Sequence, residues 1–358
     1  MADDLKRFPC KQCGAQLAFS PGAQSLKCTY CGFLNEIPQS QEQIEELDFR
    51  AYLDIARQES TEETEKVVKC SACAAEFTVG GRTVSDTCPF CGSHSIIPVE
   101  PEVRIRPKSL LPFAIDAKQC REIYRKWISS RWLAPNALKE FARADGAIDG
   151  MYIPYWTYDT YATTWYTGMR GDHYYETEHY TDSDGNRQTR QVRKTRWTPA
   201  AGTVWRNFDD VIVQGSTTLA AKHAQRIQNW DIGNLVPYQE AYMSGFRTER
   251  YNIGLEQGFH NAQEIMNDVI RGDIRVDIGG DEQQIATMNT QWDNITFKHV
   301  LVPTYLGAYR FKGKTFGFLI NGRTGAISGD APVSVWKVLL IVVAVLIVIG
   351  LFIVLTNR

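Results

Sequence analysis

The chain has 358 residues and a formal net charge of −2, which allows two or three folded units and excludes a chain that binds nucleic acid through a global basic field. Its 9 Trp, 16 Tyr and 16 Phe exclude a disordered chain. Residues 1–30 are polar and broken by Pro9, Cys10, Cys13 and Gly14, so no apolar core of an export signal is present there.

Eight of the nine cysteines fall in Cys-x-x-Cys pairs, a metal-site spacing rather than an extracellular disulfide pattern, and the ninth, Cys120, stands alone. Cys10, Cys13, Cys28 and Cys31 read C-x2-C-x14-C-x2-C, and Cys70, Cys73, Cys88 and Cys91 repeat that spacing sixty positions later. Thiolate sulfur suits tetrahedral zinc, and a Cys-x-x-Cys turn can set two sulfurs on one ion. Gly14, Gly32 and Gly92 follow the second Cys of three pairs, where a positive φ lets the chain turn under the sulfurs; Ala74 breaks the pattern in the fourth. Residues 16–19 and 76–79 read as short strands. The expectation is two zinc ribbons, over 1–38 and 68–98, each with one structural Zn2+ and no open coordination position. Units of that size fold with their metal. A redox role for the pairs lacks a thioredoxin-like βαβ setting, and thiolate zinc favours a reducing compartment.

Between the ribbons, residues 39–67 form an expected helical linker, with Ile44, Leu47, Ala51 and Ile55 at helical spacing over 40–57 and a polar stretch over 59–66. Residues 99–332 read as an α+β domain with mostly antiparallel sheet. Asp116 is placed to cap a helix through Ile128, on which Cys120 reads as a packing residue; Pro135 can start a second helix through Ala142. Strands are expected over 151–167, 202–213, 241–251, 297–310 and 315–320, with turns at 182–186, 312–314 and Asn321-Gly322. Helices are expected over 217–229 and 255–271, the latter with Leu255, Phe259, Ala262, Ile265, Met266 and Val269 on one face.

Residues 338–355 are apolar and uncharged, and Val335 and Trp336 extend the run. The expectation over 335–355 is one transmembrane helix, with Trp336 at the interface, Lys337 snorkelling and Arg358 beyond the far end. That would make the lipid bilayer a partner and the protein a single-pass cell-membrane protein with its N-terminal bulk in the cytoplasm.

Several constellations have plainer readings. His173 and His179 lie six residues apart, about 20 Å on a straight strand, so they do not share an ion. The basic run Arg187, Arg190, Arg193, Lys194 and Arg196 faces Asp172, Glu176, Glu178, Asp182 and Asp184 across a hairpin, which favours charge pairing over phosphate binding. Gly279-Gly280-Asp281 reads as a turn. Gly313-Lys314-Thr315 ends like a Walker A loop, but Ala308 stands where that motif needs glycine. No catalytic group emerges, and a non-enzyme is expected.

The segments 111–116, 131–136, 152–156, 195–197, 208–211, 278–281 and 321–325, together with the second ribbon, resemble bacterial zinc-ribbon membrane proteins often labelled primosomal protein N′ (replication factor Y) or superfamily II helicases. The resemblance runs from about residue 65 to the apolar run. It implies a bacterial origin, a membrane-bound ribbon protein and association with SPFH (flotillin-like) or other membrane-stress proteins, and it supplies no catalytic residues. The expected function is a membrane-anchored adaptor that binds protein partners. The alternative is nucleic-acid binding by the ribbons through Lys6, Arg7, Lys11 and Lys27 in the first and Lys66, Lys69 and Arg82 in the second, linked to replication or transcription.

Overall fold

The computed structural model describes residues 8–38, 40, 42–56, 67–73, 75–78, 88–91, 93, 96–99, 105–135, 148–181, 183, 185–219, 221–311 and 314–356. The 59–66 linker, most of the expected 135–142 helix, Ala74, Gly92 and the 312–313 turn lie outside them.

Each cysteine quartet sits on a three-stranded antiparallel ribbon. The first comprises β1 (Leu17–Ser20), β2 (Ser25–Cys28) and β3 (Leu34–Asn35), in that order across the sheet. The second comprises β5 (Val67–Cys70), β6 (Glu76–Thr78) and β7 (Ile96–Val99), with β5 in the middle. Between them, β4 (Leu47–Asp48) pairs with residues 296 and 297, and α1 covers only Phe49–Ala56. The helix starts late because Asp48 caps it, its Oδ1 accepting from the Ala51 N–H at 2.7 Å. The expected helical linker is thus strand followed by helix.

The body is a mostly antiparallel sheet built on three long strands, β9 (Asp149–Thr181), β10 (Arg187–Gln214) and β13 (Glu282–Phe311), ordered β10-β9-β13 and extended by β14 (Lys314–Asn321) and β15 (Ile327–Gly329). Four of the expected strands, over 151–167, 202–213, 297–310 and 315–320, lie inside these longer ones. The short strands β8 (Ser109–Leu110) and β11 (Val236–Pro237) pair with each other, and β8 also runs parallel to β13. Residues 151–160 of β9 are buried without alternation, because both faces are covered. Tyr152 joins a core with Leu17, Phe19 and Leu26 of the first ribbon, whereas Met151, Ile153 and Tyr155 join one with Val68 and Phe77 of the second. The two ribbons therefore pack on opposite faces of one strand.

Helix α2 (Ala117–Ser130) begins at Asp116, whose Oδ1 accepts from the N–H groups of Lys118 and Gln119, while Gln119 returns a bond to the Asp116 N–H. Two short helices follow, α3 (Ala221–Ile227) and α4 (Glu240–Met243), and the expected 241–251 strand is reduced to β12 (Arg247–Thr248), which pairs parallel to Met151 and Tyr152. Helix α5 (Leu255–Ile278) underlies the long strands through Leu255, Phe259, Ala262, Met266, Ile270, Ile274 and Ile278. It runs seven residues past the expected end, to Gly279 at φ 64°. Ile265 and Val269 lie off its buried stripe and are exposed.

Helix α6 (Val335–Thr356) carries the apolar run, but no helix among the described residues is long and apolar enough to cross a membrane. Lys337 does not snorkel: its Nζ donates to the carbonyls of Trp132 and Ala134 at 2.9 and 2.8 Å, tying the first turn to the body. The expected transmembrane helix, and the single-pass cell-membrane localisation built on it, are corrected accordingly.

Candidate metal centres

In each quartet the four sulfurs lie within 4.8 Å of one another. The separations are 3.7 Å for Cys10–Cys31, 3.5 Å for Cys13–Cys28 and for Cys13–Cys31, 3.6 Å for Cys70–Cys91 and 3.7 Å for Cys73–Cys88. A tetrahedron with Zn–S bonds of about 2.3 Å has edges of about 3.8 Å, whereas a disulfide needs about 2.05 Å. The spacing suits four thiolates around one ion, and all nine cysteines are free thiols.

The backbone builds the knuckles. Gly14 and Gly32 take φ of 72° and 74° and donate to the carbonyls of Cys10 and Cys28 at 2.9 and 3.1 Å. That turn aims N–H groups at sulfur: Gln12 toward Cys10, and Tyr30 and Cys31 toward Cys28, each at 3.4 Å. In the second ribbon the Ser93 hydroxyl lies 3.1 Å from Cys70 Sγ and 3.2 Å from Cys91 Sγ. Such bonds spread the negative charge of a thiolate cluster.

The electrostatics favour a bound cation. The Cys31 N–H, then that of Tyr30, hold Cys28 down at about 6 against the opposing effect of burial. Burial would raise Cys70, yet Ser93 and the N–H groups of Cys73 and Ala72 bring it down to about 6. Burial pushes Cys88 up to about 12 despite N–H bonds from Cys91 and Phe90. Four thiolates within 4 to 5 Å repel one another, and a divalent cation is what lets all four ionise. The two quartets can therefore hold metal, consistent with two zinc sites. In the first, Cys10 and Cys28 are buried while Cys13 and Cys31 face solvent.

The other candidates resolve as follows. His173 bonds to Glu282 through Nε2 at 2.6 Å and shares no ligand cluster with His179 among the described residues. Arg190 pairs with Glu178 at 3.0 Å and Lys194 with Glu176 at 2.6 Å, across the hairpin. Gly279 and Gly280 form the turn after α5. Cys120 is buried in α2, and burial pushes its thiol up to about 12, as packing requires. One cluster was not anticipated from the sequence. Glu46, Asp159 and Asp209 converge, and the nearly buried Lys298 Nζ lies 3.1 Å from Glu46, 3.6 Å from Asp159 and 2.8 Å from Asp210. It draws on four segments brought together by two strand bulges, at Phe208/Val211 and Asp293/Thr296. The adjacent acids Asp209-Asp210 were its one local trace.

The chain is 26% identical over 338 residues to "Uncharacterized protein YdjG" of Bacillus subtilis (strain 168), covering 92% of this chain and 91% of that protein. No family model and no solved structure matches.

Proposed function

We propose that the protein is a non-catalytic adaptor whose two ribbons, each folded around one structural zinc, present and orient docking surfaces for protein partners. The observation that carries this reading is the asymmetry of the first ribbon. Leu17, Phe19 and Leu26 seal one side onto the body, while the knuckle side leaves Tyr30 84%, Leu34 49% and Phe33 43% exposed. Three large apolar side chains on a rigid, metal-clasped tip suit the hot-spot core of a protein interface. Four cysteines per ion leave no position for water, which supports a structural rather than hydrolytic metal. SPFH-type proteins are the partners to try first.

The nucleic-acid reading is weaker, because Lys69 is held by Glu76 at 2.9 Å and few other basic residues lie on the ribbons. The test compares partner capture by the intact zinc-loaded protein and by a Tyr30→Ala/Phe33→Ala/Leu34→Ala variant with unchanged zinc content. Loss of a captured SPFH-type protein is expected. An unchanged set of partners, or salt-dependent binding of DNA in their place, would sink the proposal.

A further inference from the structure

Beyond the bulged region, β9 alternates. Ala162 and Tyr166 face α5, and Tyr161, Thr163, Trp165 and Thr167 face the other way. On that outer face Trp205 of β10 sits opposite Thr163, diagonal to both Tyr161 and Trp165. Diagonal neighbours stand roughly 7–8 Å apart, so the three rings form one platform. Trp205 is 62% exposed, Trp165 47% and Tyr161 41%. No described segment covers them, although a tryptophan indole left in water forfeits a large apolar burial.

The rest of the face is polar and nearly uncharged. Asn207 lies opposite Tyr161 on one side, and Asn289 and Gln291 lie opposite Trp165 and Thr163 on the other. The outward side chains over 161–167, 201–207 and 287–293 include no Lys or Arg; Arg206 turns to the opposite face, where it pairs with Asp273. The one charge there is Asp293, which accepts from Gln291 Nε2 at 3.0 Å.

We propose that this face binds a neutral oligosaccharide chain, a function separate from docking through the ribbon knuckle. The C–H face of a sugar ring is apolar and lies flat on an aromatic ring. Its rim hydroxyls both donate and accept, as do the amides and threonine hydroxyls bordering the platform. Charge selects against a polyanion: phosphates would meet no cation here and one carboxylate. Size selects against a second protein. The strip is about 20 Å long and about 10 Å between its outer strands, far below the roughly 800 Å² per partner of a stable protein interface.

The test uses the full zinc-loaded chain, titrated with maltoheptaose, cellohexaose, mannohexaose and chitohexaose, with a twenty-nucleotide oligo-dT as the polyanion. Tryptophan fluorescence and calorimetry are the readouts. At least one sugar is expected to bind saturably. Trp205→Ala and Trp165→Ala should each weaken it about tenfold, and Trp205→Phe should retain most of the affinity. Both tryptophans are exposed, so zinc content and melting temperature should stay unchanged, which separates lost binding from lost folding. Failure of all four sugars, indifference to Trp205→Ala, or tighter binding of oligo-dT than of any sugar would each overturn the proposal.

Discussion

Ser216 donates its hydroxyl to Glu249 Oε1 at 2.6 Å in the interior beside the second ribbon. Residue 249 also forms a bridge to Phe77 of β6, and the Arg250 N–H donates to the Glu76 carbonyl at 3.0 Å. The seam joining ribbon and body thus contains a carboxyl group that is 2% exposed, with Oε2 lacking a hydrogen-bond partner among the described residues.

Burial pushes Glu249 up to about 7, with Ser216 and Thr218 opposing the shift. Its folded pKa lies above its unfolded value, so its contribution is most favourable below about pH 4.5 and is lost as pH rises through 7. The gap corresponds to roughly 3 kcal/mol. Glu249→Gln keeps the Ser216 bond and cannot ionise. The difference in melting temperature between variant and wild type should therefore widen from pH 5 to pH 8 in favour of the variant. A constant difference would show that Glu249 titrates alike in the folded and unfolded chain, so that burial does not raise its pKa.

Metal removal should act on the body as well as the ribbons, because each ribbon contributes side chains to a core it shares with β9. The zinc-loaded protein should hold two ions, and Cys13→Ser or Cys73→Ser should lower that to about one. A chelator should also alter near-ultraviolet circular dichroism from Tyr152 and Tyr155, which lie in those shared cores. A body spectrum untouched by complete zinc removal would contradict this coupling.

Lys298 neutralises a group of acids otherwise held close together. Burial already pushes Asp159 up to about 6 despite the lysine beside it. Lys298→Met should cost about 3 kcal/mol, chiefly by leaving the buried Asp159 carboxylate without its cation, read as a lower urea midpoint. Asp159 has a folded pKa above its unfolded value, so the loss should be larger at pH 8 than at pH 5. Adding Asp159→Asn should recover part of it. If the double variant were no more stable than the single one, the penalty would have another source.

Ile270 lies in the middle of the buried stripe of α5, fully enclosed between the helix and the sheet. Ile270→Ala should cost about 2–5 kcal/mol through lost burial and a residual cavity. Val269→Ala, one position along on the exposed side, should change stability by about 0.5 kcal/mol or less. Equal effects in chemical denaturation would mean that the stripe is misplaced.

Spacing and local chemistry determined the parts whose partners lie close in sequence. The two cysteine quartets, the turns at Gly14 and Gly32, the Asp116 cap and the start of α5 at Leu255 each depend on residues within a few turns or one hairpin of each other. Charge pairing across the β9–β10 hairpin was legible for the same reason. Tertiary structure decided the rest. The lengths of β9 and β13, the placing of the ribbons on opposite faces of one strand, and the capture of Lys298 by Glu46, Asp159 and Asp210 all need chain segments far apart in sequence. The same holds for Trp205 standing between Tyr161 and Trp165: register brings them to one face, and the absence of a covering layer among the described residues leaves them in solvent. The apolar run at 335–355 shows the limit most directly. Hydropathy reads each residue against a solvent it assumes, whereas Lys337 is held by two backbone carbonyls that only the folded chain brings beside it.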